Sequence, residues 1–288
     1  MFIEDENYYS IEEFEKFNIK AVYTKKNAGN MSDYCSGYPE DNGHTQETNR
    51  IKILEILGAS DKIQIQSFQT HTNKIINITD EITDYTYEEV DGFITNRKDV
   101  ALFTFYADCL PIFVYDKRNA VIGVWHSGWQ GSYKEIMQNG ISLMEKEYGT
   151  NPEDLLVGLG IGISIDNYEV GVEFYNKFVE KFGIEDERIE KSFIKGEGDK
   201  YFFNNTEFNK ITALKLGIKE ENLVISNENT WNEEFHSYRR DREKSGRAAG
   251  IIFFNFFSWY HWLWNERDGL VQKIGHKVKT NMLKYSYN

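Results

Sequence analysis

The 288-residue chain is poor in cysteine, proline and positive charge, and each shortage removes a class of protein. Two cysteines, Cys35 and Cys109, cannot build the disulfide framework of a small secreted scaffold. Their scarcity fits a reducing compartment, in which a lone thiol serves reactivity or metal binding. Three prolines argue against long extended linkers. The 33 Lys and Arg face 46 Asp and Glu, and a net charge of -13 repels a phosphate backbone, so nucleic acid is not the expected partner. The most apolar stretch, Ile251 to Trp264, is broken by Asn255, Ser258 and His261 and falls short of the roughly 20 residues of a membrane span. No transmembrane segment is expected. The first residues, MFIEDENYYSIEEFEKF, are acidic where a secretory leader is basic and then apolar, which points to the cytoplasm.

What remains is enough for a core. With 40% hydrophobic and 15% aromatic residues the chain is too apolar to be disordered, and small molecules become the expected partners. Ala28 to Gln46 (AGNMSDYCSGYPEDNGHTQ) is rich in turn formers and reads as one long loop between a short strand at Lys20 to Thr24 and a helix starting near Glu47. The centre is strand-rich: Ile63, Ile65 and Ser67 share a face, and VALFTFY, PIFVYD and AVIGVWH follow, each bounded by charged or turn residues. After them Ser132 with Glu135 fits a capping box opening a helix whose apolar stripe is Met137, Ile141, Met144 and Tyr148. DLLVGLGIGIS reads as a buried strand with Gly158, Gly160 and Gly162 on one face, where another backbone can come close. YEVGVEFYNKFVEKFG and FNKITALKLG read as helices closed by glycine. The expected class is α+β, a single mixed α/β-sheet domain over residues 1–254, followed by an extension, 255–288, that is aromatic first and basic last. That tail carries five basic and two acidic residues, a net +3 that leaves -16 for the rest, and could dock on the acidic body or on a partner.

Three sequence positions bring an imidazole or thiol beside small or turn residues at a strand end: Gln69-Thr70-His71, Ala107-Asp108-Cys109-Leu110-Pro111 and His126-Ser127-Gly128-Trp129. Two histidines and a thiolate form a three-ligand set that leaves one zinc position open, as a catalytic metal requires. The separations of 38 and 17 residues are not those of a zinc finger, and taken singly each residue also reads as a turn histidine, a small buried hydrophobe or a core histidine. Trp125 and Trp129, flanking His126, are candidates either for stacking on a flat ligand or for the core. Cys35 with His44 reads as an incidental pair in the polar loop, and GLGIGIS lacks the GxGxxG spacing of a dinucleotide cradle.

The wording around those residues carries a resemblance. QTH, ADCLP, HSGWQGS seventeen positions after the cysteine, YEVG and SYRRDREKSGR occur in an order that resembles the YfiH/laccase-domain family, also called multicopper polyphenol oxidase laccase-like proteins, from about residue 20 to 254. The resemblance implies a YfiH-like, cysteine-hydrolase-like fold and zinc, with copper as the alternative, on His71, Cys109 and His126. It implies phosphorolysis of purine nucleosides such as adenosine, inosine, guanosine or methylthioadenosine, with adenosine deamination as a second activity. A metal-activated water suits deamination, and Asp108 beside the thiol is placed to act as acid/base or to orient a ligand. Phosphorolysis needs cations for phosphate. The Asn-Arg pair of ETNR supplies Arg50, and HSYRRDREKSGR supplies Arg239, Arg240 and Arg247, with His236 beside them; all of these also read as structural ion pairs.

The chain departs from the family pattern at several points. Ser127 and Gln130 stand where HAGWRG has alanine and arginine, Asp166-Asn167 stands where some members carry cysteines, and roughly 34 residues extend past the usual end at AGIIFF. The missing thiols weaken a copper polyphenol oxidase. Two other readings stay open: a metal-free cysteine hydrolase or peptidoglycan-editing enzyme with Cys109 as nucleophile and His126 or His71 as base, and a non-catalytic metal- or partner-binding protein working through its tail.

Overall fold

A computed structural model describes residues 1–35, 38, 44–79 and 81–255. The chain divides into two units, Met1–Phe254 and Asn255–Asn288, of which the first is described. The middle of the polar loop and the docking expected of the tail lie outside the described residues.

In the first unit two sheets face each other across the main core. The larger runs, edge to edge, through Phe2–Glu4, Tyr8–Ile11, Ile19–Thr24, Ala248–Phe254, Val100–Tyr106, Ile63–Phe68 and Thr86–Glu88. The second runs through Leu223–Ile225, Leu155–Leu159, Leu110–Asp116, Val121–Ser127, Gly92–Thr95 and Ile75–Asn77. Val100, Leu102 and Ile252 from the first sheet meet Phe113, Ile122 and Val124 from the second in one buried cluster. The other faces are covered as well. Ala101, Phe103 and Phe105 turn to Ile53 and Leu54 of the helix Gln46–Ile56 and to Leu57, which caps it, and Ile112, Val114 and Trp125 turn to Ile136, Met137 and Ile141 of the helix Ile136–Tyr148. Side chains alternate across a strand, so a strand covered on both faces must be apolar at every position. This is why VALFTFY and VIGVW read as unbroken runs, and it places Trp125, fully buried, in the core and not on a ligand. A third, three-stranded sheet, Glu169–Gly171, Lys200–Phe203 and Phe193–Lys195, packs its phenylalanines on the helices Val172–Phe182 and Asn205–Lys215. The mixed α/β architecture is as expected.

The helix expected to open at Ser132 through a capping box is built otherwise. Gly128 caps a short helix, Trp129–Tyr133, and Glu135, at φ 63 in the left-handed region, precedes a second one, Ile136–Tyr148, with no side-chain cap. Ser132 has a different task. Its hydroxyl pairs with Ser127 Oγ at 2.9 Å, donates to Asn205 Oδ1 at 2.6 Å and accepts from Asn209 Nδ2 at 2.9 Å. These four buried side chains tie the turn after His126 to the helix Asn205–Lys215, and they account for a serine at 127. YEVG is also a strand rather than the start of the helix that follows it.

Candidate metal centre and active site

Strand register brings the site together. Leu110–Asp116 and Val121–Ser127 form an antiparallel hairpin in which His126 faces Pro111 and Ser127 faces Leu110; one further step sets Gly128 opposite Cys109. The interval of 17 between Cys109 and His126 is therefore a hairpin register. Ile63–Phe68 runs parallel to Val100–Tyr106 with partners 37 positions apart, from Ile63 and Val100 to Gln66 and Phe103. Beyond the last pair, Gln69 extends the ladder with its side chain, donating to Phe105 O at 2.8 Å and accepting from Phe105 N at 3.0 Å. Two residues further on, His71 comes beside Cys109. Neither long interval could look like a metal motif in the sequence, because each measures strand pairing.

The ligand atoms of His71, Cys109 and His126 all lie within 4.8 Å of one another, with Cys109 Sγ 3.8 Å from His71 Nε2. Gly128 makes this closeness possible: a Cβ there would stand 2.8 Å from Cys109 Sγ and 3.0 Å from His71 Cδ2. Burial by itself would push the Cys109 thiol up, but the facing His126 and His71 imidazoles outweigh it and bring it down to about 6. Burial acts on His126 in the opposite sense, and the Cys109 thiolate together with the Asp91 carboxylate raises it to about 9. Asp91 Oδ1 lies 2.8 Å from His126 Nδ1. A carboxylate can only accept, so Nδ1 keeps its hydrogen, and Nε2 is the atom that gives up its proton when a metal binds. Two imidazole nitrogens and a thiolate converging with the fourth direction unfilled by protein fit a tetrahedral ion.

The cluster opens into a cavity of about 690 Å³. Tyr34 and Phe68, with ring centroids 3.9 Å apart, Trp129 and Tyr168 supply flat apolar wall, while Arg239, Arg242 and Arg247 supply cationic wall. Asp108, at φ 87, also lines it, but both carboxylate oxygens are engaged: one accepts from Thr230 Oγ1 at 2.7 Å, the other from Arg239 N at 2.6 Å. Of the expected phosphate residues, Arg239 and Arg247 reach the cavity, the Arg239 guanidinium 5.1 Å from the Tyr168 ring. Arg50 and Arg240 stand outside its wall. Arg50 is buried, donating to Met31 O at 2.6 Å and Asp33 at 3.0 Å, which fixes the loop that carries Ser32 and Tyr34. Arg240 is bound twice to Asp241 and donates to the carbonyls of Thr230, Trp231, Asn232 and Phe235. His236, fully buried, faces the Gly29 carbonyl, and Cys35 and His44 do not line the cavity.

Besides the wall aromatics Tyr34 and Phe68, two charged residues escaped the sequence reading. Arg242, at φ 52, belongs to the same arginine-rich run as Arg239, and among the described residues its guanidinium has no hydrogen bond or ion pair. Asp91 has no motif around it; its one signal is a carboxylate set directly before the buried strand Gly92–Thr95. Gln130, which stands where the family pattern has arginine, has a cation one turn later. Lys134 Nζ lies 3.4 Å from Gln130 Oε1 and donates to the His71 carbonyl.

Among similar proteins, one from Bacteroides thetaiotaomicron named purine nucleoside phosphorylase is 31% identical over 235 residues, covering 78% of this chain and 86% of its own. Another of that name from Borreliella burgdorferi is 30% identical over 248 residues, covering 85% and 96%. The crystal structure of a hypothetical protein YfiH from Bacillus licheniformis superposes with a TM-score of 0.79 at 24% identity over 88% of this chain and 98% of that one. YlmD from Geobacillus stearothermophilus gives 0.79 at 22% over 88% and 99%. These two establish a shared fold. The family model described as multi-copper polyphenol oxidoreductase laccase matches residues 20–255, which takes in the strand ends of His71, Cys109 and His126 and the arginine run alike, and the chain belongs to that family.

Proposed function

We propose that the protein is a zinc-dependent purine nucleoside phosphorylase. The observation that carries this reading is the His71–Cys109–His126 triangle in a cavity whose wall also holds three arginines and four aromatic rings. A volume of about 690 Å³ suits a nucleoside with phosphate, and the names of the relatives supply the reaction class. In phosphorolysis a phosphate oxygen bonds to the sugar C1′, the C1′–N9 bond breaks, and its electron pair and a proton go to the purine. The residues divide that work. Arg239, Arg242 and Arg247 bind and neutralise the phosphate, Tyr34, Phe68, Trp129 and Tyr168 hold the planar base, and Asp108 positions Arg239 through its backbone amide. Arg50 and Arg240 hold the loops that bear these groups. A bound zinc would supply a Lewis acid at the open position, which would also suit adenosine deamination, in which water displaces ammonia at the purine C6.

Nitrogen and thiolate donors suit copper as well as zinc, but a multicopper oxidase needs further centres. Among the described residues this is the one group of His, Cys, Asp and Glu side chains that could hold a metal. The test is metal analysis of the purified protein together with assay on inosine and adenosine. Zinc near one equivalent and release of free base, both lost in Cys109→Ala, support the proposal; absence of both in the wild type sinks it.

One feature favours a second reading: His126 stands between Cys109 and Asp91 as in a metal-free cysteine hydrolase, with the thiol already lowered. Alkylation separates the two. A zinc-held thiolate is protected until a chelator is added, whereas a free nucleophile reacts at once.

A further inference from the structure

His71 follows a strand of one sheet and His126 lies in a strand of the other, yet one residue grips both. Asp91 is fully buried at the head of Gly92–Thr95, and its Oδ1 meets His126 Nδ1 at 2.8 Å and the backbone N of His71 at 3.1 Å. Its Oδ2 accepts from Thr72 N and Thr72 Oγ1, both at 2.7 Å, and its backbone carbonyl accepts from His126 N at 2.7 Å. A buried carboxylate is costly unless its lone pairs are satisfied, and here four donors satisfy them. The His71 turn needs such holding. At φ 60 His71 sits in the left-handed region, uncommon for a residue with a Cβ, and its backbone is held on both sides, N–H by Asp91 and C=O by Lys134.

We infer that Asp91 is the positioning residue that preassembles the metal-binding triangle: it fixes the His126 tautomer with Nε2 toward Cys109 and holds His71 in the turn that aims its ring at the same point. The inference rests on the metal reading of the site. Thr72, bound twice to the same carboxylate, is the brace that orients Asp91 itself. Asparagine is nearly isosteric but cannot replace it, because its NH2 would face N–H and O–H donors on one side of the group.

The test uses the full chain as wild type, Asp91→Asn and Thr72→Val, titrated with zinc against a chromophoric chelator and, separately, loaded with cobalt(II) for its visible spectrum. Asp91→Asn is expected to bind zinc about 10- to 100-fold more weakly and to change the cobalt ligand-field bands, while its metal-free far-ultraviolet dichroism matches wild type. Thr72→Val is expected to lose about fivefold, and it decides the matter if Asp91→Asn does not fold. Wild-type affinity together with an unaltered cobalt spectrum in Asp91→Asn, or in Thr72→Val where that variant must serve, overturns the role of Asp91 and leaves the metal site standing. Failure of the wild type to bind zinc or cobalt overturns the metal reading itself.

Discussion

At the scale of single residues the site was half legible. Cys109 and His126 lie in the most distinctive words of the sequence, ADCLP and HSGWQGS, and the structure sets their ligand atoms within 4.8 Å of each other and of His71. Asp91 was not legible, because it touches both histidines through bonds spanning 20 and 35 positions and belongs to no local pattern. The arginines were legible as a group and not individually: RRDREKSGR announces cations, but which of them reaches the cavity depends on the backbone turn at Arg242. Two expectations belong to this scale. Gly128→Ala places a methyl 2.8 Å from Cys109 Sγ, so it should fold yet retain zinc about tenfold less well or worse, measured by metal analysis after dialysis against a chelator; unchanged retention would refute the close approach. Arg242→Ala should raise the KM for phosphate by about 10- to 100-fold, the worth of a charge-assisted hydrogen bond, without altering zinc content.

Elements were read well where hydrophobicity decided them and poorly where polar partners did. The seven-residue strands Val100–Tyr106, Leu110–Asp116 and Val121–Ser127 are buried at every position, and their apolar runs showed this directly. The capping box at Ser132 was misread because a buried hydroxyl goes where partners are, and Asn205 and Asn209, more than seventy residues away, outcompete a local backbone N–H. Ser132→Ala should accordingly lower stability by about 1–3 kcal/mol in urea unfolding, since it strands buried amide groups on the helix Asn205–Lys215. Another polar device sits at the helix Glu187–Ser192. Asp186 caps it, and hydrogen bonds from the Arg188 guanidinium hold the Asp186 carboxyl well below its ordinary 3.8. A depressed carboxylate contributes stability that is present above its unfolded value and lost as pH falls through its folded value. Asp186→Ala should therefore cost about 1 kcal/mol at pH 7, and the gap to wild type should narrow below about pH 4; a gap of constant size across that range would contradict the pairing.

At the scale of the whole molecule, the two sheets meet where the chain crosses between them. His71 follows a strand of the larger sheet, Cys109 lies in the link from Val100–Tyr106 to Leu110–Asp116, and His126 lies near the end of a strand of the second sheet, so an ion shared by the three would tie the sheets at their strand ends. Zinc at about 100 times its dissociation constant should then add about 2.7 kcal/mol to unfolding, a chelator should remove it, and Cys109→Ala should show no zinc dependence in thermal melts. The net charge of -13 remains unfavourable to anions at long range, and against it the three wall arginines make a local cationic patch. Within the described residues no helix is long and apolar enough to cross a membrane. The most direct measurement is product analysis of zinc-loaded protein on inosine and adenosine with and without phosphate. Phosphate-dependent appearance of hypoxanthine and adenine with ribose 1-phosphate is the predicted result; inosine from adenosine as the sole product, or no free base at all when phosphate is present, would contradict a phosphorylase.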